Sequence, residues 1–140
     1  MDIAVQYPAS AVFLDETFIR SQLAGVGGII QGQALYTDPA TGTALPTVAA
    51  TAGKFAFRGI AVGRAGFGQG LDVVERGFVA GFDLSALAYD APVYLSDTPG
   101  VLSSTPGTNS AVVGRVVAMT DRDITTGKPS KILFVRPTAV

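Results

Sequence analysis

The sequence predicts an all-β fold with an extended N-terminal arm and at most short helices. Three observations point there. Short runs rich in Val, Ile, Phe and Tyr recur along the chain, and clusters of Gly, Pro, Asp, Asn and Thr separate them. Several runs alternate apolar and polar residues with the period of two that half-buried strands require. No window carries a long helical period of apolar residues.

The elements follow in order. At the N-terminus Ile3, Val5 and Tyr7 alternate with Asp2, Ala4 and Gln6 until Pro8, which lacks a backbone donor and stops the run. This reads as a short strand within its own sheet or as an arm laid across a neighbour. The apolar stretch Ala11-Val12-Phe13-Leu14 follows, and residues 15–22 suit one or two helical turns. Gly25, Gly27 and Gly28 then loosen the chain, so residues 1–27 form an arm and linker and residues 28–140 the β domain.

Within that domain the candidate strands are residues 29–36, 54–63, 71–79, 91–95, 111–120 and 131–136. In the last, Ile132, Phe134 and Arg136 share one face and Leu133 and Val135 the other. In the one before, Val113, Arg115, Val117 and Met119 alternate with Val112, Gly114, Val116 and Ala118. A short helix could begin at Asp83, which has the side chain of an N-cap.

An internal echo runs through these strands. Residues 34–45 and 93–102 both read as strand, Tyr, Asp, a Pro-containing turn, Gly and a short apolar return. Asp folds back on its own backbone, Pro sets φ, and Gly accepts a positive φ, so each is a turn with a physical cause. Some twenty residues after each turn comes a glycine set in an apolar strand, in Arg58-Gly59-Ile60-Ala61-Val62 and in Val113-Gly114-Arg115-Val116-Val117. Two related hairpin units around one core would read this way, as would two hairpins that merely share turn vocabulary.

Composition bounds the function. At 140 residues the chain fits one domain with one real core. It is 48% hydrophobic and only 15% charged, against about 25% charged in ordinary soluble domains. Such a chain either tolerates a bland surface or hides part of it against partners. The ten Lys and Arg residues are scattered, which argues against a nucleic-acid partner. No stretch reaches the roughly 18 apolar residues of a membrane span, and the start lacks the pattern of a secretory signal. The absence of Cys removes disulfides and thiolate chemistry, and the absence of His removes the commonest general base and metal ligand.

The remaining chemistry is sparse. Residues 63–70, Gly-Arg-Ala-Gly-Phe-Gly-Gln-Gly, tempt a phosphate-loop reading, but the glycine spacing is wrong and a strand follows. A β loop presenting Phe67 as a contact residue fits better. The acids Asp38, Asp83, Asp90 and Asp97 each fall at turns, where local hydrogen bonding accounts for them. Asp15-Glu16 and Asp121-Arg122-Asp123 lie in polar, turn-like surroundings; the second pair has the alternate spacing of a calcium loop without its Gly and terminal Glu. Ser and Thr are numerous, yet only Lys54, Lys128 and Lys131 could serve as bases. No catalytic, metal-binding or cofactor-binding residues are expected, and the chain is not expected to be an enzyme.

Residues 90–104, Asp-Ala-Pro-Val-Tyr-Leu-Ser-Asp-Thr-Pro-Gly-Val-Leu-Ser-Ser, with Ala111-Val112-Val113-Gly114-Arg115-Val116 behind them, resemble the capsid cement or head decoration proteins of tailed bacteriophages. The resemblance spans residues 28–136, closely in the second half and loosely in the first. It implies a compact β-barrel or β-tulip-like domain on the outer surface of a phage head. Its partners would be the major capsid protein and two further copies of itself, as a homotrimer at threefold or quasi-threefold positions that stabilises the expanded head. Family members tend to add an N-terminal strand to the capsid lattice, which makes Ile3, Val5, Tyr7 and Phe13 candidate contacts beside Phe67. Such a protein is made in the host cytoplasm and ends in the virion. A tail or baseplate β module that binds a surface carbohydrate or protein is the alternative, disfavoured by the absence of Trp.

Overall fold

The computed structural model describes residues 2–12, 18–122, 124 and 127–136, with backbone alone at 6–12, 18, 121 and 122. Among these residues there is no helix. Eleven strands are formed: β1 (Asp2–Ile3), β2 (Val5–Val12), β3 (Phe18–Leu23), β4 (Ala34–Thr37), β5 (Ala44–Pro46), β6 (Gly59–Ala61), β7 (Gly70–Phe82), β8 (Pro92–Leu95), β9 (Leu102–Ser103), β10 (Val112–Arg122) and β11 (Pro129–Val135). All pairs between them are antiparallel, along the path β1-β9-β8-β10-β11-β7-β6-β4-β5, with β2 and β3 both added to β7. The sheet curls on itself as a half-barrel, the all-β, barrel-like domain that was expected.

The internal echo is a repeat of topology. A hairpin, β4–β5, is followed by β6 returning beside β4 and by β7 beside β6. The hairpin β8–β9 is followed by β10 beside β8 and β11 beside β10 in the same way. The two units meet where their last strands pair, with Val79 opposite Leu133, Phe78 opposite Phe134 and Gly77 opposite Val135. Both hairpin turns close alike: the Asp38 N–H donates to Thr43 O at 2.9 Å, and the Ser96 N–H to Val101 O at 3.0 Å.

The glycines of the echo occupy matching places. A side chain at Gly59 on β6 would lie 2.6 Å from Val74 O on β7, and one at Gly114 on β10 would run into Phe134 O on β11. In both units only hydrogen fits between the third strand and the fourth.

The long strand β7 joins the halves. Val73 pairs with Arg20 and Ala61, Val74 with Ile19 and Ile60, Phe78 with Val12 and Phe134, and Val79 with Ala11 and Leu133, so both edges are occupied. Its faces are occupied too: Val73 belongs to a small apolar cluster with Ile29, Leu35 and Leu71, and Val74 to the main core with Ile60, Val113, Val116 and Leu133. Burying such a side chain contributes about 1.5–3 kcal/mol. Gly77 and Gly81 within β7 have φ of 132° and 112°, a region that favours glycine.

A seam brings the two hairpins together. The Ala34 N–H donates to Gly100 O at 2.9 Å, the Gly100 N–H to Thr47 O at 2.8 Å and the Thr47 N–H to Ala34 O at 3.0 Å. Thr47 is fully buried, and its hydroxyl also donates to Ala34 O.

The N-terminal stretch, read as arm and linker up to residue 27, contributes three strands to these sheets. Of its two readings, pairing within the same chain is the one the structure displays: Asp2 faces Ser103 and Ile3 faces Leu102. Pro8 does not end the strand but lies where the β2–β7 register shifts, between Val5 and Ser10, so its missing N–H interrupts no regular ladder. Residues 18–22, expected in helical turns, are strand, because the edge of β7 offers their backbone groups partners from Phe18 to Leu23. Residues 13–17 lie outside the described residues. Asp83 opens a single turn, not a helix: its carboxylate accepts from the Ser85 N–H at 3.1 Å and hydroxyl at 2.6 Å, and Leu84 and Leu87 drop into the core.

The matching glycines make a paired prediction. Gly59→Ala and Gly114→Ala should each destabilise the fold by about 1–3 kcal/mol, the usual cost of overpacking. Gly70→Ala, where nothing lies within 4 Å, should be nearly neutral. Urea unfolding midpoints of the three variants check this.

Candidate interaction surface

The polar side chains that could carry chemistry are engaged in holding turns. The Asp38 carboxylate accepts from the Ala40 N–H and the Thr41 hydroxyl, and Asp97 accepts from the Thr108 N–H at 2.9 Å and hydroxyl at 2.8 Å. Asp90, with a left-handed φ of 67°, pairs at 2.7 Å with Arg115 on the solvent side. Lys131, a candidate base by residue type, donates to Leu87 O and sits over the Tyr89 ring, 5.2 Å from its centre. The Tyr36 phenol is pushed above its ordinary value, chiefly by burial and then by Asp38. The turn hydrogen bonds from Ser85 hold the Asp83 carboxyl below its ordinary value. Among the described residues no three His, Cys, Asp or Glu side chains come close enough to hold a metal ion. Asp15, Glu16 and Asp123 lie outside those residues, as does the side chain of Asp121.

The five candidate contact residues fall in different places. Ile3 is 6% exposed and its side chain belongs to the main core of its own chain. Val5 is 44% exposed and packs over Gly32, leaving no room there for a side chain. Tyr7 lies on β2 with its side chain outside the described residues, and Phe13 is wholly outside them. Phe67 is 68% exposed at the tip of the β6–β7 connection.

Phe67 is not isolated. The Gly68 N–H donates to Ala24 O and the Ala24 N–H to Gln69 O, which fixes this tip against the segment that follows β3. Ile29 and Ala65 exchange both backbone hydrogen bonds, at 2.8 and 3.1 Å, and bind the same tip to the start of the next turn. Leu23, Val26 and Ile30 sit on these adjoining segments and are themselves exposed, Val26 by 76%. Two of the turns are braced identically: Gln69 Oε1 accepts from the Gly66 N–H at 2.8 Å, and Gln33 Oε1 from the Ile30 N–H at 3.0 Å. Four apolar side chains are thus presented on turns and a strand end already held by hydrogen bonds, which lowers the ordering cost of binding. The sequence identified Phe67 alone; the neighbouring glycines and the two Gln three residues beyond a turn start were the available signal.

A second concave feature lies at β1. A groove of about 310 Å³ runs between Ile3, Val5, Gln31, Phe82, Pro99 and Leu102. At its rim the Asp2 carboxylate accepts from the Ser96 hydroxyl at 2.7 Å and the Thr98 hydroxyl at 3.2 Å, clipping the first strand to the β8–β9 turn.

Comparison of the chain with protein-family models, with curated proteins and with solved structures finds no match in any of the three.

The Asp83 turn carries a pH dependence with a definite sign. A carboxyl whose pKa is lowered on folding stabilises the fold above its unfolded value, and that contribution disappears as pH falls through the folded value. Asp83→Ala should therefore lower the urea midpoint relative to the parent at neutral pH. The difference should vanish in acid below the ordinary carboxylate range, and matched titrations at the two pH values check it.

Proposed function

We propose that this protein is a non-enzymatic structural component of a tailed-phage virion that binds the outside of the capsid and stabilises the expanded head, as a trimer at threefold or quasi-threefold positions. The observation that carries this reading is the exposure of four large apolar side chains, Leu23, Val26, Ile30 and Phe67, on segments hydrogen-bonded to one another. A solvent-exposed cluster of this kind marks a protein-facing surface. The resemblance to decoration proteins adds support, since its quoted residues cover the hairpin β8–β9 and the first half of β10 in the second repeat. Low charge fits a lattice in which many small contacts act together.

Under this reading the contact to the capsid runs through the Phe67 patch, since Ile3 is committed to the domain's own core. Substituting exposed residues away from special backbone features costs little stability, within roughly 0.5 kcal/mol. The double variant Val26→Ser, Phe67→Ser should keep the parent unfolding midpoint and lose attachment to expanded heads in a co-sedimentation assay. Retained attachment would remove the patch from the interface.

Copy number tests the wider reading. Quantitative mass spectrometry of purified virions should find this chain near one-to-one with the major capsid protein. A handful of copies per particle would move it to the tail or baseplate, and absence from the particle would end the virion assignment.

A further inference from the structure

We draw no further inference here: the strongest candidate, the groove of about 310 Å³ where β1 and the β8–β9 connection meet the turn of Gln31, Gly32 and Gln33, is lined mostly by apolar side chains, and nothing in the structure shows what covers it.

Discussion

A strand paired on both edges and packed on both faces has no freedom left, and β7 is in that position. Any peptide group left unpaired there would be buried away from water at a cost of about 1–3 kcal/mol. The surrounding strands are arranged to prevent it: β6 and β3 serve its first half, and β11 and β2 its second. Val73 and Val74, adjacent in sequence and both fully buried, face different apolar clusters. Gly77 lies where one strand passes from serving the first repeat to serving the junction with the second.

The repeat explains why so few charges suffice inside the frame. Each unit brings a hairpin with its own Asp-based turn and a glycine where the third and fourth strands come together. The two units are closed by the β7–β11 pairing, by the bonds of Ala49 to Ser96 and Asn109, and by the seam around Thr47, whose hydroxyl and backbone are all hydrogen-bonded. The Phe78 and Phe134 rings, 5.0 Å apart at 48°, lie across that same junction and add a tilted aromatic contact. Much of the polar side-chain work is done at the turns, with a few pairs such as Ser21–Asp72 and Arg20–Glu75 running between strands.

Much of this was legible in the sequence, for physical reasons. Strands β10 and β11 announced themselves because alternation over many residues records which face is buried, and β7 by its Val and Phe content between glycines. The echo was legible because Asp, Pro and Gly at a turn answer to local geometry alone. Strands β5 and β9 showed only as short returns, since three and two residues carry no period. Strand β3 was read as helical because Phe-Ile-Arg-Ser-Gln-Leu suits either period, and the available edge of β7 decides. For Ile3 the sequence left both an own-sheet strand and an arm open, because alternation tells that one face is covered without telling by what. Phe67 could be read as exposed from the glycines around it. Leu23, Val26 and Ile30 could not, because their exposure is set by how the end of β3 and the turns beside it pack in three dimensions.

The pairing pattern of β7 also has a mechanical side. A pull directed along that strand would act on the ladders of both edges together, in shear, so that several hydrogen bonds bear the load in parallel. A pull across the Thr47 seam would meet a handful of bonds one after another, like a zip. The molecule is accordingly stiff along one axis and yielding along another, and a body with that anisotropy transmits tension best when its long central strand lies along the line of force.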